Sequence, residues 1–396
     1  MPPSVPSISV PPAPLEVITQ MSELATPPVT PTFSRNNPFS SQLKENRCLN
    51  QKGSSKDTRH IVIELGSSGP TYTCGDSLGV LPRNPDSLVR EFTQRLGLHE
   101  DAALHETIAT SAVLNRVGKK FVKAVAEKAT GTARDKLQAI CADEKKLDEY
   151  VFDRDVVDVL HDAPGVHLEP SEIPNLLNKI APRLYSIASS PDHRPGEVHL
   201  TVALVQYNSH GRTKKGLASG YLADLSGTTS IPVYVQPTRH FHLPAPDRDI
   251  IMVGPGTGIA PFRAFLQHRA RHGHTGRNWL FFGDQHAKTD FLYADEFSDA
   301  QKAGHLHKLS TAFSRDQADK IYVQHRMEEE GAELWRWLQN GAYFYVCGDA
   351  KRMAKDVHAA LLKIAAQHGG KTPEQAEEWV SVTFSKTEKR YLKDVY

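Results

Sequence analysis

The pattern of apolar and polar positions divides most of the chain into regions of different character. Residues 37–84 alternate and turn as strands do, and a strand is predicted over residues 59–65. From about residue 85 to residue 180 the apolar positions instead recur at helical spacing, which predicts amphipathic helices. Strand character returns at 183–245. This order predicts a β-rich region that is interrupted by a helical insertion.

The C-terminal region alternates between strand-like and helix-like segments. Predicted strands cover 249–254, 278–283, 307–313 and 342–347, and predicted helices cover 261–272, 291–303, 327–340 and 350–368. Such alternation is typical of a parallel sheet with helical crossovers. We therefore predict an α/β domain over residues 246–396.

The first 36 residues differ in composition from the rest. They hold nine prolines and many serines and threonines, so they cannot bury enough apolar surface to offset the entropy cost of ordering. We predict a disordered, proline-rich tail over residues 1–36, in which residues 15–24 are the candidate for one short helix.

Charge and cysteine content argue against several classes of function. The chain carries 47 basic and 46 acidic residues, a formal net charge of +1, which gives no general attraction to nucleic acid or to a membrane surface. No apolar run reaches the roughly 20 residues that span a bilayer. Cysteines stand at positions 48, 74, 141 and 347 and form no CxxC pair, so they offer no ligand set for an iron–sulfur cluster or a structural zinc ion.

Two further observations bear on metals and on location. His268, His272 and His274 lie among arginines without HExxH spacing, so we expect a solvated basic loop there and no metal site. No basic side chain precedes Arg35, which argues against secretory and mitochondrial targeting signals. Scattered cysteines fit a reducing compartment. We expect a cytoplasmic protein.

A glycine-rich turn follows the first predicted strand of the α/β domain. The apolar segment that starts at Ile250 runs into residues 254–258 (GPGTG) and then to Pro261, which suits the first turn of a helix. Glycines let the backbone approach a pyrophosphate, and a helix N-terminus offers free N–H groups. Ile259 stands where the dinucleotide fingerprint has its third glycine. Taken alone, the turn fits an ordinary tight turn as well as it fits a nucleotide site.

A polar cluster follows a later predicted strand. Ser314 and Arg315 come at the carboxyl edge of the sheet, where such sheets bind ligands, and arginine can hold a phosphate with two N–H groups. Lys320 offers a second cation, and Tyr322 offers a ring for adenine. For this cluster alone, a solvated charged loop is the commoner explanation.

Three segments taken together resemble one family. They are residues 183–191 (RLYSIASSP), 254–263 (GPGTGIAPFR) and 345–349 (YVCGD). The set resembles the ferredoxin–NADP reductase superfamily. The runs DFLY at 290–293, FSRDQ at 313–317 and KRYLKDVY at 389–396 narrow the resemblance to its diflavin reductase branch, and most closely to the NADPH sulfite reductase flavoprotein.

The resemblance implies a multi-domain β and α/β fold. An antiparallel FAD-binding β-barrel would cover residues 37–245, with the helical connecting insertion at about 85–180, and a parallel-sheet NADP-binding domain would follow. Diflavin reductases also carry an FMN-binding domain before the barrel. Only the proline-rich segment precedes residue 37, so we expect the FAD and NADPH half without the FMN domain.

For FAD, the resemblance implies a set of contacts on the barrel. Arg183 would meet the pyrophosphate, Tyr185 would lie against the isoalloxazine ring, and Ser186 would reach toward flavin N5. A second phosphate loop would be formed by residues 215–219, and its contacts are Gly216, Ala218 and Ser219. Val205 and Tyr207 would contact the flavin nucleotide through backbone atoms.

For NADPH, the resemblance implies the positions that serve hydride transfer. Thr257 would lie beside the nicotinamide, Cys347 would lie near its C4 atom, and Asp394 would orient them through a polar network. Tyr396 would stack on the flavin face and move aside for the nicotinamide. We therefore take Ser186, Cys347, Asp394 and Tyr396 as the catalytic candidates. The remaining predicted nucleotide contacts are Gly256, Ser314, Arg315, Lys320, Tyr322, Gln324 and Asp349.

The implied activity is the oxidation of NADPH by FAD, with electrons passed to another protein. The first interpretation is the flavoprotein component of an assimilatory sulfite reductase, which serves cysteine biosynthesis. Its partner would be a haem-bearing subunit, a flavodoxin-like or ferredoxin carrier, or both. The alternatives are a stand-alone ferredoxin or flavodoxin reductase and a non-catalytic dinucleotide-binding protein. No nucleic acid or membrane partner is expected.

Overall fold

A computed structural model describes residues 33–227 and 229–396 of the chain. The predictions of a disordered tail and of a helix over residues 15–24 concern residues that lie almost wholly outside this part. Residues Phe33–Tyr396 form one compact unit. No helix in the described part is long and apolar enough to cross a membrane.

The first half of the described chain holds strands on either side of a run of helices. The strands are β1 (Phe39–Cys48), β2 (Thr58–Glu64) and β3 (Ser77–Val80), followed by the helices α1 (Asp86–Arg95), α2 (Ala102–Ser111), α3 (Lys119–Lys128), α4 (Gly131–Cys141), α5 (Glu144–Phe152), α6 (Val156–Asp162) and α7 (Ile173–Leu176). Next come β4 (Arg183–Ser186), β5 (Glu197–Ala203), β6 (Gln206–Ser209), β7 (Arg212–Lys215), α8 (Leu217–Asp224) and β8 (Ser230–Gln236).

Six of these strands form one antiparallel sheet that curls into a barrel. Their order is β4-β3-β8-β1-β2-β5, and every neighbouring pair is antiparallel. The two ends of the sheet meet where Ile187 pairs with Leu200 and the Ala188 N–H donates to the His199 carbonyl at 2.8 Å. The predicted antiparallel barrel is confirmed.

The helices α1–α7 enter between β3 and β4 and build a core of their own. Buried apolar side chains from α1, α3 and α6 meet there, among them Phe92 and Phe121, whose ring centroids lie 6.1 Å apart. The side-chain amide of Asn84 joins the strand end to this layer, because it donates to the carbonyls of Ile108 and Ala112 at 3.0 and 2.6 Å. The helical spacing read from residues 85–180 therefore corresponds to real helices.

The second half alternates between strands and helices. In order it contains β9 (Ile250–Val253), a 3-10 turn (Gly256–Ile259), α9 (Ala260–Arg271), β10 (Asn278–Asp284), α10 (Ala287–Asp290), α11 (Ala294–Lys302), β11 (Lys308–Phe313), α12 (Val323–Glu329), α13 (Gly331–Gln339), β12 (Tyr343–Gly348), α14 (Met353–Gly369), α15 (Pro373–Glu378), a π-helix (Trp379–Thr387) and β13 (Tyr391–Val395).

Its five strands form a parallel sheet in the order β11-β10-β9-β12-β13, which confirms the predicted parallel sheet. Several details differ from the sequence prediction. The helix predicted over 327–340 is two helices, α12 and α13, which are separated at Glu330. The helices α10 and α15, the π-helix and the strand β13 were not predicted.

Buried polar contacts hold the barrel against the parallel sheet. Arg263 on α9 donates to the Ala188 carbonyl at 2.7 Å. The Tyr293 hydroxyl lies 2.9 Å from His60 Nδ1 and 2.8 Å from Thr201 Oγ1. Because these groups are buried, losing one partner would leave another unsatisfied, so the contacts favour one arrangement of the two sheets. The predicted domain boundary at about residue 245 stays a prediction, since the two sheets form one compact unit.

Candidate active site

Three of the predicted catalytic side chains meet where the barrel touches the parallel sheet. Ser186 ends strand β4, Cys347 lies in β12, and Asp394 lies in β13. The Ser186 hydroxyl donates to Asp394 Oδ2 at 2.6 Å. Cys347 Sγ lies 3.8 Å from the same carboxylate oxygen and 4.0 Å from Ser186 Oγ. Residues far apart in the sequence therefore form one polar cluster.

The electrostatics of this cluster keep the thiol protonated. Burial, and next the neighbouring Asp394 carboxylate, raise the pKa of Cys347 well above its ordinary value. A carboxylate can only accept hydrogen bonds, so Asp394 Oδ2 is the acceptor toward both the hydroxyl and the thiol. The cluster thus presents a fixed hydroxyl and a neutral thiol, which suits the orientation of a ligand ring rather than nucleophilic attack.

Tyr396 lies beside the cluster and is held in place although it is the last residue. Its N–H donates to the Gly348 carbonyl at 3.1 Å, and its own carbonyl accepts from Ala350 N–H at 3.1 Å. Its hydroxyl lies 3.0 Å from Thr257 Oγ1. The side chain is 54% exposed. An exposed aromatic ring anchored through its backbone can turn aside while the strand stays in place.

A cavity of about 430 Å³, here called the barrel cavity, opens beside Ser186. It gathers most of the predicted FAD contacts: Arg183, Tyr185, Ser186, Val205, Gly216, Ala218 and Ser219, with Thr257 and Tyr396 at its other wall. Tyr207 lies on β6, is 38% exposed and is not part of this lining. Arg116 from the helical insertion also lines the cavity, and this residue was not among the predicted contacts.

The barrel cavity has the features of a pyrophosphate site. Helix α8 begins at Leu217 after Gly216, and no side chain caps its first N–H groups. Such N–H groups bind anions, and Arg183 and Arg116 add positive charge to the same cavity. A Cβ at Gly216 would lie 2.8 Å from Ser219 Oγ and 3.1 Å from Val205 Cβ, so there is little space for a side chain at the entry into the helix. These residues fit the diphosphate of FAD.

The glycine turn lies directly against the catalytic strand. Gly256 has a φ of +57°, and a Cβ at Gly258 would lie 2.1 Å from the Cys347 carbonyl oxygen. Only glycine permits this approach of backbone to backbone. The turn therefore places the N-terminal end of α9 next to Cys347. An ordinary tight turn would not require this close approach to another strand.

A second cavity of about 560 Å³, here called the sheet-edge cavity, lies at the carboxyl edge of the parallel sheet. Five of the predicted nucleotide contacts line it, namely Gly256, Ser314, Tyr322, Gln324 and Asp349. Arg315 and Lys320 are exposed nearby and do not line it. Asp349 accepts from the N–H groups of Arg352 and Met353 at 2.7 and 3.2 Å, so its carboxylate also caps the start of α14. These backbone N–H groups lower the pKa of Asp349.

Two cations of the sheet-edge cavity were not found from the sequence. Lys56, from the β1–β2 connection, forms an ion pair with Asp284 at the end of β10. Burial raises the pKa of Asp284, and its Oδ2 atom has no hydrogen-bond partner in the described part of the chain. Arg352 lines the cavity beside Asp349. A lysine in a hairpin loop and an arginine after a strand end are too common on surfaces to be singled out without the fold.

A third, smaller cavity of about 270 Å³ shares lining residues with both larger ones. Thr257 and Tyr396 line it and also line the barrel cavity. Lys56, Asp284 and Asp349 line it and also line the sheet-edge cavity. The three cavities are therefore neighbours, and Tyr396 lines the barrel cavity together with Ser186.

Comparison with known proteins gives two consecutive matches along the chain. Residues 31–112 and 101–221 match the family described as FAD binding domain, and residues 252–359 match the family described as Oxidoreductase NAD-binding domain. The first match covers most of the barrel and its helical insertion, and the second covers most of the parallel sheet, so the chain combines an FAD-binding domain with an oxidoreductase NAD-binding domain.

The whole of this region is similar to proteins named sulfite reductase [NADPH] flavoprotein alpha-component. It is 44% identical to the one from Shewanella oneidensis over 377 residues, 44% to that from Cronobacter sakazakii over 372, and 42% to that from Bacillus subtilis over 380. Each match covers 92% of this chain and 61% or 62% of the relative. The chain thus spans about three fifths of the length of these relatives.

Proposed function

We propose that this chain takes a hydride from NADPH onto FAD and passes the electrons to a protein acceptor. The observation that carries the proposal is the Ser186–Cys347–Asp394 cluster, which lies where the FAD-binding barrel and the nucleotide-binding sheet meet. Bound FAD would supply the redox chemistry, since a flavin accepts a hydride and can release electrons singly.

The chain's own residues would bind and align the two cofactors. The uncapped N-terminus of α8, with Arg183 and Arg116, would hold the FAD diphosphate. The glycine turn before α9 and the cations Lys56 and Arg352 would hold the nucleotide phosphates. Alignment of this kind can supply several kcal/mol of the barrier reduction for hydride transfer.

Where the two cofactors meet, the Ser186 hydroxyl and the neutral Cys347 thiol would fix the orientation of the flavin ring and the nicotinamide ring. Tyr396 would cover the flavin face in the absence of nicotinamide and leave it when NADPH enters. Its exposure supports that movement, as does the fact that its side chain makes one hydrogen bond within the described part of the chain, to Thr257. Asp394 would hold the Ser186 hydroxyl and the Cys347 thiol in place through one carboxylate oxygen.

We further propose that the chain serves as flavoprotein component of an assimilatory NADPH-dependent sulfite reductase. The relatives that carry this name support the assignment. The partner would be the haem-bearing subunit, reached directly or through a flavodoxin-like or ferredoxin carrier. A cytoplasmic location follows from the same proposal, and the four cysteines, all free in the structure, suit a reducing compartment.

Two alternatives remain distinct. A stand-alone ferredoxin or flavodoxin reductase would use the same cofactor site, but the helical insertion and the similarity to sulfite reductase flavoproteins favour the first assignment. A non-catalytic dinucleotide-binding protein would not need Ser186, Cys347 and Asp394 to meet at the ring junction.

The experiment has two arms. The purified chain should be yellow and its flavin absorbance should bleach on anaerobic addition of NADPH. Arg183→Ala should purify with little flavin, whereas Arg90→Ala, which removes an exposed arginine paired with Asp86 on α1, should keep it. An Arg183→Ala protein with full flavin content would refute the assignment of the barrel cavity.

The second arm tests the acceptor. The chain is used to capture partners from native extract, and NADPH-driven reduction of the co-purifying protein is measured. A sirohaem protein that is reduced in this way supports the sulfite reductase assignment. Capture and reduction of a small ferredoxin or flavodoxin alone would favour the stand-alone reductase.

A further inference from the structure

A cluster of imidazole and carboxylate groups lies away from both cofactor cavities. His268 belongs to the last turn of α9, His272 directly follows that helix, and Asp192 belongs to the loop after β4. The sequence predicted only a solvated basic loop here. The structure instead brings one side chain from the barrel and two from the nucleotide-binding domain to one point.

The two histidines are placed by helical geometry. They are four residues apart, so they lie on the same face one turn apart, and their ring centroids are 4.4 Å from each other. Asp192 Oδ2 lies 2.9 Å from His272 Nε2 and 3.3 Å from His268 Nδ1. One carboxylate oxygen therefore already faces one nitrogen of each ring.

These separations are close to those of a metal site. One ligand atom from each of the three residues lies within 4.8 Å of the others. In a tetrahedral site with bonds of about 2.0–2.2 Å, donor atoms lie about 3.3–3.6 Å apart. Small side-chain rotations would bring the three donors to that spacing. Imidazole nitrogen and carboxylate oxygen are ligands that zinc and similar divalent ions accept.

A third imidazole lies beside this cluster. The ring centroid of His274 is 5.5 Å from that of His268 and 6.2 Å from that of His272. Its Nδ1 atom is buried and has no hydrogen-bond partner among the described residues. Arg269, which follows His268 in the helix, is directed elsewhere, because its guanidinium donates to the carbonyls of Arg248 and Gly276. An unsatisfied donor or acceptor thus remains next to the three candidate ligands.

We propose that Asp192, His268 and His272 bind one divalent transition-metal ion of the zinc class. The ion would connect the loop after β4 to the helix that follows the nucleotide turn. That connection already exists in a weaker form, since the Ser190 N–H donates to Gln267 Oε1 at 3.1 Å. The site would therefore reinforce the contact between the FAD-binding barrel and the nucleotide-binding sheet, without touching either cofactor cavity.

The competing explanation is a simple ion pair between Asp192 and a protonated imidazole. The two explanations differ in what they predict for added metal. The test uses the full chain as purified, free of any histidine tag and stripped with EDTA, and titrates it with ZnCl₂ by calorimetry. Metal content after dialysis gives the stoichiometry.

We expect one Zn²⁺ per chain, and at least about tenfold weaker binding in His272→Ala and in Asp192→Asn, since each variant loses a ligand. His99→Ala is the matched control, because it removes an exposed histidine from the turn between α1 and α2, and it should bind as the wild type does. Absence of stoichiometric binding in the wild type, or equal affinity in wild type and His272→Ala, would overturn the proposal.

Thermal unfolding provides a second readout that does not depend on activity. Zn²⁺ should raise the melting temperature of the wild type and of His99→Ala, and EDTA should reverse the increase, since a ligand that binds only the folded state stabilises it. Asp192→Asn preserves the size of the side chain and should melt close to the wild type in EDTA, but its melting temperature should rise clearly less with zinc. A similar gain in this variant would contradict the assignment of Asp192.

Discussion

Replacement of Asp394 by asparagine tests the central cluster most directly. In the structure the Ser186 hydroxyl donates to Asp394 Oδ2 at 2.6 Å, the length typical of a charge-assisted hydrogen bond. The Cys347 thiol lies 3.8 Å from the same oxygen. Asparagine has nearly the same shape but carries no charge, so it weakens these contacts without opening a cavity.

The expected effect follows from the strength of such bonds. A hydrogen bond to a charged group contributes about 1.5–3 kcal/mol and a neutral one about 0.5–1.5 kcal/mol, so the difference is about 1–2 kcal/mol. If the whole difference appears in the barrier to hydride transfer, the rate falls about 5- to 30-fold. Anaerobic stopped-flow measurement of flavin bleaching by NADPH gives this rate directly.

A double-mutant cycle assigns the loss to the proposed contact. Ser186→Ala removes the donor, so Asp394→Asn should slow an enzyme that already carries Ser186→Ala by much less than it slows the wild type. The control Asp299→Asn alters a carboxylate on α11 that is 75% exposed and, among the described residues, pairs only with Lys302; it should leave the rate unchanged. Full additivity of the two central variants, or a wild-type rate in Asp394→Asn, would refute a positioning role for the carboxylate.

Three further outcomes are expected. Deletion of Tyr396 should raise the rate with NADH relative to NADPH and change the rate of flavin reduction, because the ring covers the flavin face; unchanged kinetics with both cofactors would exclude that role. NADPH should be preferred over NADH by about 10²–10⁴, the effect of two charge-assisted phosphate contacts of about 1.5–3 kcal/mol each. Arg315→Ala should reduce this preference, measured as the ratio of the kcat/KM values for the two cofactors, at least tenfold. The same ratio in the variant and in the wild type would assign the selectivity to other residues. Burial lowers the pKa of His60 to about 2 and that of His199 to about 4, although the hydrogen bond that His199 donates to Glu197 raises the latter pKa. The unfolded chain takes up these protons near pH 6.5 and the folded chain does not, so urea unfolding should show stability falling below pH 6.5 by about 1.4 kcal/mol per pH unit for each histidine. A flat profile from pH 7 to pH 5 would contradict neutral burial.

The sequence predicted those parts of the fold that depend on periodic patterns. The alternation of strands and helices after residue 249 corresponds to the parallel sheet, and the helical spacing of residues 85–180 corresponds to α1–α7. Periodicity does not report tertiary contacts. The break between α12, which ends at Glu329, and α13, which begins at Gly331, has no signature in that pattern.

The candidate site likewise contains residues that were predicted and residues that only the fold reveals. Resemblance supplied Ser186, Cys347 and Asp394, and the structure brings them within 4.0 Å of one another. Lys56 and Arg116 were missed because each comes from a segment remote from the motifs, and only the fold carries them to the cavities. Charged side chains are common in loops, so residue type alone could not identify these two as site residues.

The register of the last strand explains how the C-terminal residues reach the site. β13 pairs in parallel with β12 so that Asp394 lies opposite Cys347. Successive side chains of a strand point to opposite faces, so Asp394 and Tyr396, two residues apart, point to the same face. A slip of one residue would send both to the other face of the sheet and leave Ser186 without its acceptor. The Arg390 guanidinium, which donates to the carbonyls of Leu338 and Ala342 at 3.0 and 2.7 Å, fixes the start of the strand and therefore the position of both side chains.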